Sequence, residues 1–190
     1  AKAAAAKAAA ARAAAARFAA DRAARASAPE AVASASSGSS NFLPPPAAPV
    51  SSGWTPGKGQ AAVAAAERWL GTPYAWAGGT PAGPSYGMPP DVGVLGFDCS
   101  GLVLYSWSQE GIGLPHFSGY QYASGPHPST GALLPGDLLF WSYDGTPATI
   151  HHVAIYIGHG DVIEAPQSGD VVKIVPIWYD GLVGATRPDA

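Results

Sequence analysis

From Gly59 onward the spacing of apolar residues changes character along the chain. Val63, Ala66, Trp69 and Leu70 recur at helical intervals, which predicts a helix over Ala61 to Leu70, and Gly71-Thr72-Pro73 stops it. Residues 77–96 lose periodicity, are rich in Gly and Pro and read as a loop. A second helix is expected from about Cys99 to Glu110, with Gly111 as its breaker. Strand-like runs follow at Asp137 to Tyr143, His152 to Ile157, Asp161 to Glu164 and Val171 to Val175. Gly158 and Gly160 mark a hairpin turn between the second and third runs. Helices first and antiparallel strands after predict an α+β fold.

The first 58 residues follow other rules. Residues 1–28 are nearly all alanine, with a basic residue every five positions from Lys2 to Arg22. Alanine favours a helix. A five-residue step spirals the charges around it and leaves no apolar stripe. That segment reads as a solvated helix or frayed spacer, as the end of a longer helical hairpin or coiled coil, or as a basic arm attracted to an anionic polymer. Residues 29–58, rich in Ser, Pro, Gly and Ala, read as a linker long enough to fold back over the domain and inhibit it. Phe42 and Leu43 are its candidate docking residues. Residues 59–190 form the expected folded domain.

Composition sharpens that division. All six Trp and all eight Tyr lie at or after Trp54, so the aromatic core belongs to the last two-thirds of the chain. Residues 1–28 carry a net charge of +5, and residues 29–190 carry −8. An acidic domain argues against nucleic acid as partner. The Lys and Arg interruptions of the Ala-rich segment argue against a membrane span. The single cysteine cannot form an internal disulfide. With no initiator Met and no Leu-rich leader, the chain reads as the C-terminal piece of a longer precursor, and no export signal is legible.

Phe97-Asp98-Cys99-Ser100-Gly101-Leu102-Val103 carries the sharpest chemical signal. Asp98 is a good N-cap, which places Cys99 in the first helical turn. Backbone N–H groups and the helix dipole there favour a thiolate and are expected to lower the thiol pKa. A small buried hydrophobe is the alternative reading of a lone cysteine. Among five histidines, His151 and His152 open a strand and point to opposite faces. His152 shares its face with Ala154 and Tyr156, and the small Ala154 leaves room for a helix end. Glu164 on the following strand can orient an imidazole as the third member of a triad, or it is an ordinary exposed acid. A zinc site fails on spacing, with no His-Glu-x-x-His run and no paired cysteines.

Five motifs in order resemble the NlpC/P60 family of papain-like cysteine peptidases, over about residues 60–187. Thr72-Pro73-Tyr74-Ala75-Trp76-Ala77-Gly78-Gly79 resembles P-Y-x-W-G-G, and the segment around Cys99 resembles the nucleophile motif. Leu114-Pro115-His116-Phe117-Ser118 with Gln121 is similar to L-P-x-x-S-x-x-Q. Leu134-Pro135-Gly136-Asp137-Leu138-Leu139-Phe140 and His152-Val153-Ala154-Ile155-Tyr156-Ile157-Gly158 are similar to the last two elements. Within the family the layout resembles the mycobacterial Rip-type wall endopeptidases. Ala77 departs from a common glycine, and the loop from Thr80 to Leu95 is longer than in minimal members.

The resemblance implies a nucleophile helix on an antiparallel sheet. It implies Cys99 as nucleophile, His152 as base and Glu164 as the orienting acid. Tyr74 would assist the oxyanion or the substrate. Asp98 and Ser100 would hold polar groups of a stem peptide, with helix capping as the equal alternative for Asp98. The implied activity is peptidoglycan hydrolysis between γ-linked D-glutamate and meso-diaminopimelate, in cell wall remodelling or division, by a secreted monomer needing no cofactor or metal. Stem peptides and other wall hydrolases are the implied partners. Two alternatives keep the fold: a non-catalytic peptidoglycan-binding module, and an amidase or transpeptidase.

Overall fold

The computed structural model describes residues 53–189. The Ala-rich helix expected over residues 1–28, the docking of Phe42 and Leu43, and most of the 29–58 linker lie outside them. The first helix, α1 (Pro56–Glu67), begins earlier than its apolar spacing suggests. Thr55 accepts the Lys58 N–H at 3.2 Å as N-cap, and Pro56 occupies the first turn, where its missing N–H costs nothing. These start signals outrank hydrophobic period, so the end of the expected linker belongs to the first helix.

Two short strands, β1 (Ser85–Tyr86) and β2 (Leu95–Gly96), pair antiparallel within the long loop. The nucleophile-motif helix α2 (Cys99–Ser108) follows. Every residue from Ser100 to Trp107 is buried, so α2 is a central helix rather than an amphipathic surface one. A five-residue helix, α3 (Ser118–Tyr122), crosses near its start. The chain then builds a five-stranded antiparallel sheet from β3 (Leu138–Ser142), β4 (Ile150–Gly158), β5 (Asp161–Glu164), β6 (Lys173–Pro176) and β7 (Leu182–Thr186). Their spatial order is β6-β5-β4-β3-β7. The closing strand β7 has no counterpart in the expected runs, because Gly184 interrupts its alternation.

The sheet separates two apolar clusters. The larger joins Val63 and Ala66 of α1, and Leu102, Val103 and Trp107 of α2, to Phe140, Val153, Ile155 and Ile163. The smaller, on the other face, contains Leu139, Trp141, Ala154, Val162 and Ala185. α1 docks closely on the start of β3. A Cβ on Gly59 would lie 2.1 Å from the Pro135 carbonyl oxygen, and one on Gly136 (φ +97°) would lie 2.4 Å from the Gly59 Cα.

The Gly136-Asp137 motif is structural. Asp137 is fully buried and takes Arg187 Nε and Nη2 at 2.9 Å each, with the Leu134 N–H at 2.8 Å. The Arg187 guanidinium lies 4.4 Å from the Trp54 ring centroid. One carboxylate therefore ties both ends of the described domain to the sheet. Removing it strands a partly buried cation. Asp137→Ala is expected to cost about 3 kcal/mol of stability, measured by urea denaturation; a loss under about 0.5 kcal/mol, the range of ordinary surface changes, would contradict this role.

Candidate active site

The tip of α2 is built before the sheet reaches it. Asp98 Oδ1 accepts the Gly101 N–H at 2.6 Å, the Ser100 hydroxyl at 3.0 Å and His116 Nε2 at 2.9 Å, while Oδ2 accepts the Ala77 N–H at 3.1 Å. Asp98 is therefore the helix cap and also a clamp on two neighbouring loops. Gln121, fully buried on α3, donates to the Ser100 carbonyl at 2.9 Å and the Pro115 carbonyl at 2.8 Å. Gly101 is required by contact: a Cβ there would lie 2.0 Å from the Gly78 carbonyl oxygen. Tyr74 is buried, and its backbone bridges Phe97, two residues before the cysteine.

Strand β4 meets this tip at its edge. The Tyr156 N–H bonds to Asp137 on the β3 side. By the period of an antiparallel ladder, the N–H groups of Ala154 and His152 face β3 as well, and that of Val153 faces the other way. The β4–β5 pairing reaches no further than Ile155 opposite Ile163, so the Val153 N–H lies beyond it. That N–H and the Ser100 N–H act on the Cys99 thiol, each favouring its charged form. The thiol therefore feels the backbone of the residue next to His152. Ala154 is not the seat of the helix end; it packs in the cluster on the opposite face, and α2 approaches from the Val153 side.

His152 and Glu164 are both buried and on neighbouring strands. His152 Nε2 lies 2.6 Å from Glu164 Oε2, which leaves Nδ1 as the nitrogen available to a thiol proton. Trp141 and Trp178 stack at 4.0 Å, with centroids 5.6 and 5.9 Å from the imidazole. The pair is covered on that side by two indoles, which limits competition from water. Trp141 falls in an expected strand run and His116 in a family-like motif, but neither position marks the residue for the site, and Trp178 carries no periodic signal at all.

Cys99 is half-buried. Burial, then the Asp98 charge, push its thiol above the ordinary range, and the Val153 and Ser100 N–H groups oppose that only in part. This corrects the expectation that the helix start alone lowers it. The same Asp98 that caps the helix repels a thiolate one residue away. A resting thiol of this kind needs an acceptor for its proton. Among the described residues no group of His, Cys, Asp and Glu could hold a metal ion.

A thiol, an imidazole and a carboxylate on a helix tip and an antiparallel sheet make up the constellation of a thiol hydrolase. The chain belongs to the NlpC/P60 family, whose model matches residues 71–185. It is 44% identical over 113 residues to the peptidoglycan endopeptidase RipA of Mycobacterium tuberculosis, a match covering 60% of this chain and 23% of RipA. A gamma-D-glutamyl-L-lysine dipeptidyl-peptidase of Bacillus cereus is 35% identical over 115 residues, or 60% of this chain and 31% of that enzyme. The chain thus spans less than a third of either relative. A solved structure of RipA mutated at a cysteine superposes with a TM-score of 0.65 at 36% identity, covering 70% of this chain and 62% of that one. Others carry RipA mutated at a histidine and at a glutamate. RipD of M. tuberculosis, described as a non-catalytic NlpC/p60 domain protein adapted to peptidoglycan binding, superposes at 0.62 with 32% identity over 68% of this chain and 96% of its own.

Two outcomes follow. With a high-lying thiol and a single neighbouring base, His152→Ala is expected to slow iodoacetamide alkylation of Cys99 at least 10-fold at pH 7, and raising the pH to 9 should not restore it; fast alkylation of the variant at pH 7 would show that the helix start activates the thiol unaided. Ala77 adopts φ +59°, a left-handed conformation that costs a side-chain-bearing residue about 1 kcal/mol. Ala77→Gly is expected to raise the urea midpoint by a corresponding amount, and a lowered midpoint would contradict that.

Proposed function

We propose that this domain is a secreted cysteine endopeptidase that cuts the stem peptide of peptidoglycan between γ-linked D-glutamate and meso-diaminopimelate. The observation that carries the reading is the His152 imidazole held 2.6 Å from the Glu164 carboxylate, on the strand whose next N–H, that of Val153, acts on the Cys99 thiol. His152 Nδ1 takes the thiol proton, and the thiolate attacks the γ-glutamyl carbonyl. The Cys99 N–H, one of the unpaired donors of a helix start, together with the Tyr74 hydroxyl, stabilises the oxyanion. The imidazolium gives its proton to the leaving amine. The neutral ring then activates water, which releases the acyl group and restores the thiol.

Asp98 and Ser100 contribute first through the shape of the helix tip, since both are already bonded within the protein. The names of RipA and of the Bacillus cereus enzyme support the substrate class and the γ-glutamyl bond. The wall outside the membrane is where such a substrate lies. Among the described residues no helix is long and apolar enough to cross a membrane.

The test is the mass spectrum of products from muropeptides carrying a γ-D-glutamyl-meso-diaminopimelyl bond. The wild-type protein is expected to release fragments ending at D-glutamate, and Cys99→Ala none. Glu164→Gln should retain measurable hydrolysis, because an orienting group costs less to lose than the nucleophile. Cleavage at another bond would point to an amidase or transpeptidase. Tight binding without cleavage by the wild type would point to a wall-binding module.

A further inference from the structure

The connection from β3 to β4 holds an aromatic pair that the proposed reaction does not use. Tyr143 directly follows β3, and His151 is the extra residue where the β3–β4 register shifts, between Ile150 opposite Ser142 and His152 opposite Trp141. Their rings stack face to face, with centroids 3.8 Å apart and planes 12° from parallel. Such bulges re-aim side chains next to active sites.

The segment between them is internally fixed. The Gly145 N–H bonds to the Ser142 hydroxyl at 2.8 Å, and the Asp144 carboxylate accepts the Thr146 N–H at 2.9 Å and the hydroxyls of Thr146 and Thr149. The Tyr143 N–H reaches the Thr149 carbonyl at 3.4 Å, and the Ser142 N–H bonds to Gly181 at 2.9 Å. Tyr143 is therefore held by a rigid turn, yet its side is 36% exposed. A large ring kept open on a rigid loop, one residue from His152 through its stacking partner, is placed to meet a ligand rather than to fill a core.

Its electrostatics agree. Burial, then the Cys99 charge, raise the phenol above its ordinary value, so it is a neutral donor close to the nucleophile at any working pH. Burial, then the charge of His152, depress His151 to about 4, so the platform under the phenol is uncharged above that pH. The buried His151 Nδ1 has no hydrogen-bond partner.

We propose that Tyr143, carried on the neutral His151 ring, is a substrate-positioning residue that forms the β3–β4 wall of the cleft and donates a hydrogen bond from its phenol to the stem peptide beside the bond that is cut. The inference rests on the peptidase reading for its substrate but not for its test. Binding of a muropeptide carrying the γ-D-glutamyl-meso-diaminopimelyl bond is measured by calorimetry in the uncleaving Cys99→Ala protein, with and without Tyr143→Phe. The phenol deletion is expected to weaken binding about 10-fold and, with Cys99 intact, to raise KM by a similar factor with a smaller change in kcat. His151→Ala should lose as much, and His151→Phe, which keeps a ring to stack on, should recover most of it. Equal affinity of the two Cys99→Ala proteins would overturn the proposal. So would a His151→Phe protein as weak as His151→Ala. If the wild type binds but does not cut, the peptidase reading fails while the binding comparison still decides the role of Tyr143.

Discussion

A single backbone N–H at the edge of a sheet sets the site. Because β5 stops pairing with β4 after Ile155, the Val153 N–H lies outside the ladder and acts on the Cys99 thiol. The same ending places Glu164 diagonally from His152, close enough for a 2.6 Å bond. A β5 paired further along β4 would satisfy Val153 from the sheet and close the space the sulfur occupies. The geometry of the proposed triad is thus a consequence of strand length and register, which the hairpin at Gly158 and Gly160 fixes.

Everything else holds the helix tip against that edge. Asp98 gathers α2, the Ala77 turn and the His116 loop onto one carboxylate, and Gln121 pins the Ser100 carbonyl from α3. These bonds carry a cost that sits at the site. Asp98 disfavours the thiolate it helps to place, and Ala77 holds a left-handed backbone to reach it. Strain and electrostatic conflict of this kind are expected where geometry serves chemistry rather than stability. In the proposed reaction the imidazole resolves the conflict, since its protonation supplies the positive charge that a thiolate beside Asp98 lacks.

Much of this was legible in the residues. Asp98 before Cys99 announced a capped helix, and the spacing of Gly158, Gly160 and Glu164 announced a hairpin able to carry a carboxylate back to His152. Period-based reasoning failed where local signals compete. It missed the start of α1, which Thr55 and Pro56 decide, and β7, where Gly184 breaks the alternation. It put the helix end over Ala154, because alternation assigns faces but does not say which face a helix will cover. It assigned the thiol a lowered pKa from the N–H groups and dipole of the helix start, because their balance against burial and a neighbouring carboxylate depends on three-dimensional packing. Trp178 carried no signal, and the pairing of Tyr143 with His151 could not be read from their strand runs, since it comes from a register shift and from stacking.

The account turns on the distance between one sulfur and one imidazole nitrogen, and a bifunctional alkylating agent measures it directly. Treatment with 1,3-dibromoacetone, followed by proteolysis and mass spectrometry, should yield a peptide containing Cys99 joined through a propanone bridge to the peptide containing His152, with the bridge on the imidazole. Cys99 alkylated at one end only, or bridged to another histidine such as His116, would contradict the arrangement on which the proposed chemistry rests.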